Sequence, residues 1–168
     1  MTMDLDLSDF PSHEEAAVLV AASPATLFDY LDDPARLGGH MKKRSWRTGG
    51  ARMAYEFDAA RGRSIGSEIR LAGDVLGLTL AVSEVVTERA PPRIKTWQTT
   101  GTPRLWAIGH YRMGFDLSPA GNLTRLRVFI DFCPGPIRPV FLANWLARFY
   151  SRWCVGQMAR DAQARFMQ

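Results

Sequence analysis

A strand pair between Leu105 and Phe132 limits what this chain can fold into more than any other stretch. On the first strand Tyr111, Met113, Phe115 and Leu117 share one side, while His110, Arg112 and Asp116 share the other. On the second, Leu126, Val128, Ile130 and Phe132 oppose Arg125, Arg127 and Asp131. A period of two with one dry and one wet side means an antiparallel sheet covered on a single face. Charges opposed on the wet side are set to pair across strands, at roughly 0.2–1 kcal/mol each. The dry side must be covered by another element.

The rest of the chain supplies more strands and few helices. "EEAAVLVAA" reads as a first strand. Ser23-Pro24 then caps a short helix, "ATLFDYL", with Leu27, Phe28 and Leu31 on one face. Asp33-Pro34 repeats the cap-plus-proline signal, and Gly38-Gly39 ends that second helix. "RMAYEF", "SIGSEIRLA", "LGLTLAVSEVVTER" and "RIKTWQTT" precede the strand pair, separated by "DAARGR", "GD" and "APP". Short connections predict an antiparallel meander of six or seven strands. The pattern of "GLTLAVSEVV" shifts mid-strand, the mark of a bulge. Residues 1–12 read as a loose leader and 13–168 as a single domain.

One long helix remains, about Val140 to Phe166. Leu142, Leu146, Phe149 and Trp153 form a stripe expected to face the dry side of the sheet. Val155, Met158, Ala162 and Phe166 form a second stripe on nearly the opposite side, with Gly156 at the changeover. A kink at Gly156 accounts for this, and so does burial on two sides, by the sheet and by a partner subunit or lid.

The element order is α+β. A helix about 10 Å wide cannot seal a sheet of six or seven strands spanning about 30 Å. The sheet must therefore curve around the helix, and the two short helices are placed to plug the open end. Space is expected to survive between wall and helix.

The stretches "VLVAASPATLFDYLDDPARL", "VTERAPPRIKTWQT", "HYRMGFDLSPAGNLTRLRVFIDF" and "QMARDAQARF" resemble the START/Bet v 1-like (SRPBCC) superfamily, and within it the bacterial polyketide cyclase/dehydrase-type branch. The resemblance runs from about Ala16 to the C-terminus. It implies a helix-grip fold, a curved sheet around a long C-terminal helix, with an internal apolar cavity for lipids, sterols, polyketides, quinones or similar ligands. It does not imply one activity, since fold alone does not settle function.

On this reading the ligand-lining candidates are Trp97, Tyr111, Met113, Phe115, Leu126, Val128, Ile130, Leu146, Phe149 and Trp153, with His40 and Trp46 at the cavity mouth. Trp97 sits in a strand of mixed pattern, so lining the cavity and stacking outside on Arg or Lys both stay open. Tyr111 carries a hydroxyl on the dry side and is the best internal polar contact, because a buried hydroxyl wants a partner. Removing about 300 Å² of ligand surface from water contributes roughly 7 kcal/mol before the loss of ligand freedom.

Other chemistry finds little support. His110 has outward parity, and Glu84, Glu88, Asp116 and Asp131 read as solvated strand faces. No Ser-His-Asp order, metal spacing or phosphate loop assembles, so neither metal nor cofactor is expected. A net charge of +4 is too mild for a nucleic-acid signature, and the Lys42, Lys43, Arg44, Arg47 cluster reads as a solvated loop. Cys133 and Cys154 read as reduced thiols, and an acidic start lacks the form of a signal peptide, so a cytoplasmic protein is expected. Three functional readings follow. The favoured one is a non-catalytic binder or carrier of a hydrophobic small molecule. The second is a cyclase/aromatase-like enzyme acting through Tyr111 and His40. The third is a membrane-surface module using "PIRPVFLANWLARFYSRW", not favoured; a homodimer is compatible with any of them.

Overall fold

The computed structural model describes residues 10–37, 52–75 and 78–167. Among these, β1 (Ser12–Val20) is followed by α1 (Pro24–Leu31) and α2 (Pro34–Leu37). Then come β2 (Arg52–Phe57), β3 (Glu68–Val75), β4 (Leu78–Ala90), β5 (Ile94–Arg104), β6 (Ile108–Ala120) and β7 (Leu123–Pro134), and last α3 (Val140–Phe166). The strands form one antiparallel sheet in the order β1-β7-β6-β5-β4-β3-β2. The meander expected from the short turns is therefore present, with β1 added beside β7. Gly73-Asp74, expected as a turn, instead lies inside β3 opposite Leu80 and Thr79, and Thr79 Oγ1 donates to Asp74 Oδ1 at 2.9 Å. The bulge expected in β4 is seen as register shifts between Ala81 and Ser83 and between Val86 and Glu88. Within the expected leader, Phe10 is buried and Ser12 already begins β1.

The wet and dry faces fall where the alternation put them. Tyr111, Met113, Phe115, Leu117, Leu126, Val128, Ile130 and Phe132 belong to one buried cluster. On the opposite face the register partners Asp116 and Arg127 pair at 2.7 Å, and His13 and Asp131 at 2.6 Å. Gly114 lies on this outer face between Thr96 and Phe129. A Cβ there would stand 2.7 Å from the Lys95 carbonyl oxygen and 2.9 Å from the Phe129 ring, and the carbonyl cannot step aside without breaking the ladder. Gly114→Ala is expected to destabilise the protein by about 2 kcal/mol, as overpacking does. A urea titration checks this, and an unchanged midpoint would count against so tight a crossing.

The two short helices act as the expected plug. Ser23 Oγ accepts from Thr26 N–H at 3.2 Å, and Pro24 opens the helix. Leu27, Phe28 and Leu31 are buried, and Phe28 meets Phe115 edge-on with ring centroids 5.5 Å apart.

α3 corrects the sequence reading. It packs chiefly on β1 and β7, through Ala143, Ala147, Ser151, Cys154, Val155, Met158, Ala159 and Ala162. These residues recur every three or four positions and most are small, which lets the helix axis approach the sheet closely. The large residues of the first expected stripe are turned away: Phe149 is 62% exposed, Trp153 40% and Leu142 39%, with Leu146 half-buried. Apolar size misled the reading; the small-residue period carried the true face. Glu14 of β1 fastens the helix by accepting from Arg152 at 3.0 and 3.2 Å.

Candidate functional site

Because α3 sits over β1 and β7, the inner faces of β2 to β5 lie beside the helix. Ile69, Leu71, Val82, Val86 and Trp97 make much of this part of the wall apolar, and the charged groups buried in it are Glu84 and Lys95. Val82, Glu84 and Val86 alternate along β4 with the same parity, so Glu84 points inward with two valines. It is only 7% exposed. The expectation that Glu84 belongs to a solvated face is therefore wrong. The sequence carries the signal, since positions 82, 84 and 86 share a side and parity, not charge, sets the facing of this residue.

Tyr111 Oη donates to Glu84 Oε1, and the Trp97 side chain also hydrogen-bonds this carboxyl. The indole N–H has only a donor to offer, so Glu84 accepts from both. Thr99, the register partner of Glu84, accepts from the Tyr111 backbone N–H at 3.2 Å and so fixes the tyrosine's strand. Trp97 is buried and meets Phe115 edge-on at 6.5 Å, so it does not stack outside on Arg or Lys.

Burial pushes the Glu84 carboxyl up to about 7, against the opposing pull of Tyr111, Trp97 and the Lys95 charge. Its negative charge reaches Tyr55 of β2 and Tyr150 and Cys154 of α3. Burial first, and this charge with it, raise both tyrosines above their usual range and push the Cys154 thiol up to about 12. Tyr111 is raised for the same reasons. At neutral pH the phenols and the thiol hold their protons, and only Glu84 is near its titration point. Cys154 is thus no nucleophile, since a reactive cysteine needs the thiolate. Ser151, also on the inner side of α3, has a buried Oγ with no hydrogen-bond partner among the described residues. The cluster can present or receive hydrogen bonds and, at Glu84, move one proton. Among the described residues, no group of three or more His, Cys, Asp or Glu is arranged to hold a metal ion.

A second buried polar group closes the plugged end. Lys95 is 1% exposed, and its Nζ donates to Asp32 Oδ1 at 2.8 Å and to the Asp32 carbonyl at 2.9 Å. Arg89 reaches the same carboxylate at 2.8 Å through Nη2 and lies over the Phe28 ring. Asp32 terminates α1, so this triad locks the plug to β4 and β5. Sequence reasoning missed it, because its members lie far apart in the chain.

Of the expected lining residues, Trp97, Tyr111, Met113, Phe115, Leu126, Val128 and Ile130 are buried together. Leu146 is half-buried at the edge of the helix, and Phe149 and Trp153 face outward. His40 and Trp46 lie outside the described residues, as does the Lys42–Arg47 cluster. A separate open groove of about 360 Å³ occupies the outer face, lined by Glu56, Arg70, Ser83, Thr100 and Arg104. It shares no polar group with the inner cluster.

The family described as "Polyketide cyclase / dehydrase and lipid transport" matches residues 13–163. No curated protein sequence matches. Among solved structures, the protein TTHA0849 from Thermus thermophilus superposes with a TM-score of 0.68 at 16% identity, over 93% of this chain and 97% of that one. The protein CV1439 from Chromobacterium violaceum gives 0.59 at 16%, over 91% and 98%. Norcoclaurine synthase from Thalictrum flavum, solved in complex with dopamine and hydroxybenzaldehyde, gives 0.65 at 14%, over 93% and 86%. At these identities the likeness is one of fold, and the fold is the Bet v 1-like helix grip.

Proposed function

With the chain belonging to the polyketide cyclase/dehydrase and lipid transport family of the SRPBCC superfamily, we propose that it binds a hydrophobic small molecule between the sheet and α3, as a carrier or binding protein. The observation that carries this reading is the Glu84–Tyr111–Trp97 cluster set in an apolar inner wall. A closed core gains nothing from a buried acid, because burying it costs more than an apolar residue of similar size. A ligand oxygen reaching Tyr111 or Glu84 gives the acid a use, while Met113, Phe115, Val128 and Ile130 hold the ligand's apolar body.

Native mass spectrometry of the protein from its own host tests the reading, followed by titration with fatty acids, sterols, quinones and aromatic polyketides. A retained or titratable ligand is expected; an empty protein that binds none of the panel would overturn the proposal. Tyr111→Phe is expected to weaken an oxygen-bearing ligand about tenfold, the worth of one buried hydrogen bond. The same change should leave a hydrocarbon of equal size unaffected, and isothermal titration of the pair separates the two.

One observation favours a second reading. A carboxyl near neutrality that accepts from a tyrosine suits the proton transfers of a cyclase/aromatase-like reaction. Turnover of a polyketide chain lost in Glu84→Gln, with binding retained, would favour the enzyme over the carrier.

A further inference from the structure

We propose that the outward face of the first half of α3 docks on an anionic phospholipid bilayer. Phe141, Trp145, Phe149 and Trp153 recur every four residues and share one side of the helix. They are 75%, 61%, 62% and 40% exposed, and Trp145 stacks on Phe149 with centroids 5.8 Å apart. Isolated exposed apolar residues are ordinary, but a continuous aromatic ridge marks an interaction surface.

Charge decides which surface. Arg148 and Arg152 lie on the same side as the aromatics, with side chains 56% and 73% exposed. Glu14 contacts both, at 3.7 and 3.0 Å, so one carboxylate faces two guanidinium groups and the ridge stays positive. Between Asp131 and Asp161 the sequence holds no acidic residue, while Arg138, Arg148, Arg152 and Arg160 fall within it. Aromatic residues beside arginines on one helical face suit the boundary between headgroups and acyl chains. A second copy suits the ridge poorly, because a twofold interface would bring two patches of the same positive charge together. The role is independent of the internal site, since none of these residues lines the Glu84 cluster.

Vesicle flotation tests the proposal with the full chain. Phosphatidylcholine vesicles containing phosphatidylglycerol are expected to carry the protein upward in low salt. Pure phosphatidylcholine, or high salt, should reduce the bound fraction roughly tenfold or more. The Phe141→Ser/Trp145→Ser variant changes only exposed positions, and it should lose flotation while keeping the parent's melting temperature. Three results would overturn the proposal. The first is no flotation on the anionic vesicles, and the second is a variant that floats like the parent. The third is a lipid-free dimer, seen by analytical ultracentrifugation, that the variant abolishes, which would assign the ridge to a second copy.

Discussion

Asp32→Ala is expected to lower stability by about 3–5 kcal/mol, because it leaves the Lys95 ammonium buried without its counter-charge. For a chain of this length that corresponds to a fall in melting temperature of about 10 °C. Lys95→Met should cost far less, about 1 kcal/mol, since Asp32 keeps its paired Arg89 and the stem of the lysine is replaced by an apolar one. The asymmetry tests the mechanism: equal losses from the two variants would mean that geometry, not uncompensated charge, sets the effect. The pH dependence gives a second reading. Burial alone would raise the Asp32 carboxyl, but hydrogen bonds from Arg89 and then Lys95 outweigh it and hold the group below its ordinary value of 3.8. A depressed carboxyl contributes stability above its unfolded value and loses it as pH falls through the folded one. Thermal melts below about pH 4 should therefore show a steep acid limb in the parent and a shallower one in Asp32→Ala.

This triad also explains what sequence reading reaches and where it stops. Local signals were legible: the Ser23-Pro24 cap, the alternation of Tyr111 to Leu117, and the pattern shift of β4 each depend on neighbours a few residues apart. The width of the sheet against one helix followed from these by arithmetic. The contacts between Asp32, Arg89 and Lys95 span 57 and 63 positions, and no local pattern encodes them. The facing of α3 failed for another reason. Its apolar residues surround the helix, so the buried side is chosen by size: Ala143, Ala147 and Ser151 fit against β1 and β7, where Phe149 and Trp153 would not. Of the site, the apolar wall and Tyr111 were read correctly as buried, and Glu84 was not. A carboxylate on a strand is usually solvated, and that general expectation displaced the parity of positions 82, 84 and 86.

Glu84→Gln is expected to make the protein more stable at pH 8, by about 2–3 kcal/mol, while changing little at pH 5. The carboxyl is raised from 4.5 to about 7 in the folded chain. Between those values the folded state keeps a proton that the unfolded state gives up, so stability falls as pH rises through the interval and levels off above it. A shift of this size corresponds to roughly 3 kcal/mol over the interval. Glutamine keeps a side-chain oxygen to accept from Tyr111 and does not titrate, which should flatten the profile. Urea midpoints measured from pH 5 to pH 8 decide the matter, and parallel profiles for parent and variant would place the titration elsewhere. The functional meaning comes from the sign. An acid that weakens the folded state at neutral pH has no structural reason to occupy an apolar wall, and sites built for binding or catalysis commonly carry such a deficit. If Glu84→Gln is more stable at pH 8 and also weaker toward oxygen-bearing ligands, with hydrocarbon binding unchanged, stability and recognition are opposed at this one side chain, and the inner cluster is the ligand's polar anchor.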